Sequence, residues 1–339
     1  MANAAIYDEG TRLINRIKSA CQLHGIDTRL ATERMLAEEI SRGLSKHLIP
    51  RHMIKGGLLH PQVSRETADL DILFERKVER HEMHRAFELM KHDLAAKGIE
   101  LRSYSNEPEA LHIDGHGGHR YKVMAMAGNT RINTKIDMTG GTQLFPKFRP
   151  ERRHGSVFYS GQEPLLGLYQ TFESQAADKL IEVATYPSTS RWKDFRDLSI
   201  LYGMKLDVTH VGAEVVHKMR RELVSDYAIM DAFPEEPVSL KWEFAQEKAQ
   251  LWETWKDRNA PHMNAFIDVL CDSRQMYNAV RQHLLASLKL HEDRRQRVRR
   301  QIDAVNKVRD GYAKSEDTGN IIEMGKYRDA ATLAFKPKF

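Results

Sequence analysis

The sequence predicts an α+β fold: a small mixed sheet within residues 45 to 145, amphipathic helices in front of it, and a larger C-terminal helical region behind it. Three observations lead there. Apolar residues recur at helical spacing up to residue 48, strand-like alternation with turn signals fills residues 100 to 138, and from Pro164 onward nearly every periodic segment is helical. The chain divides on this reading at residue 150, with the N-terminal helices and sheet core in 1–150 and the helical region completing the site in 151–339. The polar tail beyond residue 312 offers few core candidates.

The elements follow in order. Leu13, Ile14, Ile17 and Cys21 form the stripe of a first helix, and Asp27 or Thr28 can cap a second that carries Leu30, Leu36, Ile40 and Leu44. Ile49-Pro50 ends it, and Met53-Ile54 is a brief apolar segment running into Lys55-Gly56-Gly57. Asp69 to Phe74 alternates as a strand. Met83, Phe87, Met90 and Leu94 then mark a helix closed at Gly98. Tyr121, Val123 and Ala125, the turn Gly128-Asn129, and Ile132, Thr134, Ile136 and Met138 make an antiparallel hairpin whose other face holds Arg131, Asn133, Lys135 and Asp137. Helices are expected over Leu165–Ala184, Trp192–Leu201, Ala213–Leu223, Leu240–Trp255 and Met263–Asp310.

The bulk properties narrow the function. With 339 residues, 41% hydrophobic and 29% charged, the chain has the balance of a globular protein. No apolar run approaches the roughly 18 to 20 residues of a membrane span, and the opening MANAAIYDEGTRLINRI lacks a signal-peptide pattern, so the expected location is the cytoplasm without membrane contact. Cys21 and Cys271 lie far apart and neither belongs to a Cys-x-x-Cys, which argues against a disulfide framework or a zinc site. The net charge of +5 is unevenly spread, with Arg294, Arg295, Arg297, Arg299 and Arg300 crowded together, either as a solvated helix face or as a nucleic-acid contact.

The chemistry concentrates in IKGGLLHPQVSRETADLDILF, residues 54 to 74. In a strand, Asp69 and Asp71 leave one face while Leu70, Ile72 and Phe74 leave the other. Side-by-side carboxylates repel unless a cation lies between them, and Mg²⁺ takes one or two carboxylates together with water and substrate phosphates. An Asp-x-Asp alone arises in many acidic surface strands, but Gly56 and Gly57 just upstream can bring backbone N–H groups to phosphate oxygens, without the pattern of a P-loop. Asp137 offers a third carboxylate if its strand lies beside the first; otherwise Lys135 is its ion-pair partner. Lys179 emerges from an apolar stripe with Phe172, Ala176 and Val183, a costly position unless it reaches an anion. Asp194 and Asp197 share a helix face near Arg191 and Arg196, which a local salt-bridge net would also explain. His112, Asp114, His116 and His119 are read as a hairpin around Gly115, Gly117 and Gly118, not as a metal site.

Taken in order, Lys55-Gly56-Gly57, then Ser64-Arg65-x-Thr67-x-Asp69-Leu70-Asp71, Lys135-Ile136-Asp137, Ala177-x-Lys179-Leu180 and Arg191-x-Lys193-Asp194-Phe195-x-Asp197-Leu198 resemble the AbiEii/AbiGii nucleotidyltransferases. These are toxins of type IV toxin-antitoxin and abortive-infection systems within the DNA polymerase β-like superfamily. The likeness covers Asp27 to Leu201, including the Thr32-Glu-Arg-Met-Leu helix. It implies a nucleotidyltransferase core in which Lys55, Gly56, Gly57 and Thr67 bind the nucleotide, Asp69 and Asp71 hold Mg²⁺ or Mn²⁺ with Asp137 as third acid, Lys179 contacts phosphates, and Asp194 is the acid of the last motif. Glycine stands at position 57 where some relatives have serine. The resemblance further implies an NTP substrate, a tRNA or other RNA acceptor and a cognate antitoxin. A protein or small-molecule acceptor, or a non-enzymatic nucleotide-binding protein, are the rival readings; Asp137 and Asp194 both stand as candidate general bases.

Overall fold

The computed structural model describes all residues except 1, 49–50, 61–68, 114–115, 142–150, 155–165, 186–190, 221–224, 261 and 317–339. The chain forms two compact units, Met1–Val280 and Arg281–Phe339.

The first unit is built on one mixed sheet. Its strands are β1 (His52–Lys55), β2 (Asp69–Phe74), β3 (Ile99–Tyr104), β4 (Glu109–Ile113), β5 (His116–Ala127), β6 (Thr130–Gly140), β7 (Glu151–His154) and β8 (Leu166–Tyr169), in the order β3-β5-β6-β2-β1-β8-β7 with β4 on β5. The β5–β6 pair is the expected hairpin, with Ala127 opposite Thr130 across Gly128-Asn129. β2 runs parallel to β6 and antiparallel to β1, and β1 pairs parallel with β8.

Three helices cover one face of the sheet. They are α1 (Ala2–His24), α2 (Thr28–His47) and α3 (Arg80–Ala95). Their stripes, among them Ile17, Leu36, Ile40, Phe87 and Met90, close with Leu70, Ile72, Tyr121, Ile132 and Ile136 into one buried core. The starts are set locally: Asp27 Oδ1 accepts from the Leu30 N–H at 2.9 Å, and Glu79 and Glu82 form a capping box on α3. α3 ends at the cap Ala96, two residues before the expected Gly98, which follows with φ +75°.

Behind the sheet come α4 (Phe172–Thr185), α5 (Trp192–Gly203), α6 (Val208–Met219), α7 (Asp226–Ala232) and α8 (Trp242–Asn259), then the long α9 (Phe266–Glu316). The helix expected from Leu165 begins only at Phe172, because Leu166–Tyr169 is a strand. Thr171 Oγ1 accepts from the Ser174 N–H at 3.1 Å and opens the helix there. An aromatic nest of Trp192, Phe195, Phe244, Trp252 and Phe266, with ring centroids 5.1–6.5 Å apart, fixes α5 against α8 and the start of α9. Among the described residues no helix is long and apolar enough to cross a membrane.

In the second unit the continuing α9 presents Arg297, Arg299 and Arg300 to solvent together with Val298, Ile302 and Val305. Of Arg294 and Arg295 only the helical backbone is described.

Candidate active site

Strand pairing writes two charged rows across the uncovered sheet face. Residues in register point to the same side, so one row reads Lys55, Asp71, Asp137, Arg120 across β1, β2, β6 and β5. The next reads Asp69, Lys135, Lys122 across β2, β6 and β5. Asp69 and Asp71 are both half-buried, while Leu70 and Ile72 between them enter the core.

The third carboxylate does stand beside the first two, but its partner is not Lys135. Arg120 holds it in a fork, Nε to Oδ1 and Nη2 to Oδ2, each at 2.6 Å. That pairing was available in the sequence. The two-residue turn fixes the hairpin register, and counting equal steps back from Gly128-Asn129 sets Arg120 opposite Asp137. Among the described residues no group of three or more His, Cys, Asp or Glu is placed to hold a metal ion.

The glycines are shaped around Asp71. Gly56 to Leu59 form a single 3₁₀ turn, and Gly56 has φ +66°. A Cβ built on Gly56 would lie 1.9 Å from Asp71 Oδ2, so the carboxylate occupies the space a side chain would need. From behind, Gln175 on α4 donates to the Gly56 carbonyl at 3.1 Å and meets the buried His60 ring at 2.9 Å. Arg34, itself buried, donates to the His60 carbonyl at 3.0 Å and to Glu38 at 2.9 Å. A hydrogen-bonded chain thus runs from α2 through His60 and α4 to the glycine turn. Sequence reading missed Gln175, which lies one helical turn before Lys179 and therefore on its face of α4.

Lys179 finds its anions on α5. Its Nζ lies 2.5 Å from Asp194 Oδ1 and 3.8 Å from Asp197 Oδ2, with side chains 18%, 3% and 0% exposed. Arg191 adds its own contact to Asp194 at 2.7 Å. The salt-bridge net within α5 and the cross-helix lysine are therefore one cluster.

One step before Lys179, Asp178 sits among cations that the sequence did not single out. Lys218 of α6 pairs with it directly, Lys55 approaches to 4.0 Å, and Gln170 donates at 2.8 Å. Burial alone would raise the Asp178 carboxyl, but the charges of Lys218 and Lys55, with hydrogen bonds from Lys218 and Gln170, hold it well below the usual carboxylate range. Burial pushes Lys218 down against the pull of Asp178. Thr67 lies outside the described residues, as do Ser64, Arg65 and Asp114. His112 and His119 are on paired strands, with Ile113 opposite His116, as expected of a hairpin there.

The candidate site thus consists of a charged sheet face with paired carboxylates, a glycine turn pressed against one of them, and a lysine held between acids of α5. The chain matches the family described as nucleotidyl transferase AbiEii toxin, type IV TA system, over residues 50–305, well over half its length, and it belongs to that family. It is a nucleotidyltransferase of the toxin class, and membership implies an NTP substrate and an antitoxin partner. Among solved structures it is similar to MenT4, a nucleotidyltransferase toxin of Mycobacterium tuberculosis H37Rv, with 14% identity, 79% of this chain and 92% of that one covered and a TM-score of 0.48. It is also similar to JHP933 from Helicobacter pylori, at 13% identity, 79% and 99% coverage and a TM-score of 0.43. The antibiotic-resistance factor ANT(2'')-Ia follows at 15%, 59% and 95%, and 0.34. No curated protein matches the chain.

Proposed function

We propose that the protein transfers an NMP from an NTP to the 3′ end of a tRNA in the cytoplasm, with a divalent ion, Mg²⁺ or Mn²⁺, held by Asp69 and Asp71. The observation that carries this reading is the half-buried, co-facial Asp69–Asp71 pair pressed against a glycine turn that has no Cβ to displace it. The donor set fits the ion: two hard carboxylate oxygens face one side, and Asp137 would complete the acids on release from Arg120. When bound, such an ion neutralises charge on the α-phosphate and on the departing pyrophosphate.

The chain's own groups do the rest. Lys55, the N–H groups of Gly56 and Gly57, and Thr67 cradle the triphosphate, and Gln175 keeps the turn in place through the Gly56 carbonyl. Lys179 contacts phosphate, aimed by Asp194 and Asp197. Asp194, buried between Lys179 and Arg191, orients the lysine, and Asp137, in register beside Asp71, takes the proton from the acceptor hydroxyl once Arg120 releases it. That hydroxyl attacks the α-phosphorus, the bond to pyrophosphate breaks, and the nucleotide is left on the acceptor. A tRNA so modified at its 3′ end cannot be charged, which accounts for toxicity.

The test is incubation with Mg²⁺ and each α-³²P-labelled NTP in turn, together with total RNA and a protein extract, beside the double variant Asp69→Ala, Asp71→Ala. Label in a tRNA-sized band with the wild type alone is expected. Label confined to a protein band or to a small molecule would overturn the acceptor assignment while keeping nucleotidyl transfer.

A further inference from the structure

The first unit contains an open cleft of about 850 Å³ that shares the row Asp69, Lys135, Lys122 with the candidate site; of the paired aspartates, Asp69 lines it. It is large for a single nucleotide, lying high in the roughly 300–1,000 Å³ range of small-ligand pockets. Its floor is the charged sheet face at Lys122, Asn133 and Lys135, and its wall is built from Lys193 and Arg196 on α5 and Trp255 and Arg258 on α8. Among the described lining residues seven are Lys or Arg and four are Asp or Glu. The carboxylates are Asp27, Glu33, Asp69 and Asp257. Glu33 is answered by Arg29 at 3.0 Å. Arg131, Lys135, Lys193 and Arg258, all exposed, have no ion-pair partner among the described residues.

The cleft lies on one flank of Asp69, and the glycine turn lies on the other. In the sheet, β6 and β5 extend from β2 toward the cleft, whereas β1, which leads into Gly56, and β8, which leads into α4, extend the opposite way. α5 serves both sides. Asp194 turns to Lys179, and its neighbour Lys193 faces the cleft. Trp255 stands half-buried with its ring 5.1 Å from the fully buried Trp252, which braces it.

The geometry points to this cleft as the seat of the acceptor, a single-stranded nucleic-acid end whose phosphates meet Arg131, Lys135, Lys193 and Arg258 and one of whose bases stacks on Trp255. This inference rests on the proposed transfer to RNA and assigns its acceptor to a surface apart from the arginines of α9. A strand with one negative charge per residue matches a group of cations without ion-pair partners among the described residues, and an aromatic ring beside a cationic groove takes any base without regard to sequence. The terminal hydroxyl of such a strand arrives at Asp69, while the NTP approaches from the Gly56 side.

The test measures binding apart from chemistry, with the full chain and no NTP present. Fluorescence anisotropy of a labelled tRNA and of a short labelled single-stranded RNA is followed over a salt series for the wild type, the double variant Lys135→Ala, Lys193→Ala, and Trp255→Phe beside Trp255→Ala. Two lost phosphate contacts should make the plot of log K against log salt shallower by about 1.4, at about 0.7 per contact on a single strand. Affinity near physiological salt should fall at least tenfold, and affinity for a fluorescent NTP analogue should stay as in the wild type. Trp255→Ala should lose about tenfold with the salt slope unchanged, and Trp255→Phe should recover most of it. Thermal melts report folding, and Lys193→Glu alone gives a second variant at an exposed position.

RNA binding unchanged in the cleft variants but lost in Arg297→Ala, Arg299→Ala, Arg300→Ala would overturn the cleft assignment and leave transfer to RNA standing. A wild type that binds neither RNA and labels only protein would overturn the nucleic-acid occupant and the RNA acceptor together.

Discussion

Replacing Gly56 by alanine tests how tightly the glycine turn and the paired carboxylates are joined. The added Cβ would stand 1.9 Å from Asp71 Oδ2, 3.0 Å from its Cγ and 3.3 Å from its Cβ. An ordinary C···O contact is about 3.3–3.6 Å, so the oxygen must retreat by well over 1 Å and the whole carboxylate must rotate. A misplacement of about 1 Å in a reacting constellation costs roughly 10²-fold. The backbone at φ +66° adds about 1–2 kcal/mol for any residue with a side chain. Gly25→Ala gives that conformational cost alone, because Gly25 has φ +65° and nothing within 4 Å of a built Cβ. Gly25→Ala should thus lose about 1–2 kcal/mol in urea unfolding, and Gly56→Ala more than that, because it carries the same backbone cost and the contact with Asp71 besides. Gly56→Ala should also lose at least roughly a hundredfold in kcat/KM for nucleotide transfer. A Gly56→Ala protein that transfers label within threefold of the wild type would refute the idea that Asp71 needs this seat.

Three further perturbations follow from the same geometry. Lys179→Met removes the principal cation from two buried carboxylates, which should destabilise the fold by about 3 kcal/mol; a urea midpoint unchanged from wild type would contradict it. Gln175→Leu takes the donor from the Gly56 carbonyl and the partner from His60, at a cost of about 1–3 kcal/mol, and should raise KM for NTP more than it lowers kcat in steady-state assays. Glu82 is held down to about 2 by the Arg76 fork and the Glu79 N–H. Its folded value is thus below its ordinary 4.5, so its contribution is present above 4.5 and lost as pH falls toward 2. Glu82→Gln should flatten the acid limb of stability against pH in that window, and limbs that superimpose would rule it out.

The legible parts were those with a period or a fixed register. The helical stripes of α1 to α3, the hairpin at Gly128-Asn129 and the strand Asp69–Phe74 all follow local pattern, because burial on one side leaves a mark every two or every three to four residues. The strand Leu166–Tyr169 left no such mark. Four residues are too few to separate a strand from the start of a helix, and what makes them a strand is pairing with β7 on one side and with Ile54, more than a hundred positions away, on the other. At the candidate site, the charged residues themselves could be named from order and spacing. Their partners could be named only where register is set locally, as for Arg120. Gln175 to Gly56, Lys218 to Asp178 and Lys179 to Asp194 join helices whose relative placement no short pattern encodes.

The tether from Gln175 to Gly56 spans 119 positions, and the parallel β1–β8 pairing spans a similar stretch. A ribosome that has released only the first 150 residues has made both aspartates and both glycines, yet neither β8, which pairs with the outer side of β1, nor the helix that braces the turn. Contacts so distant in the chain form late. The nascent N-terminal half of this toxin therefore lacks the brace on its glycine turn, and on the proposed assignment the activity arises only once synthesis has passed α5.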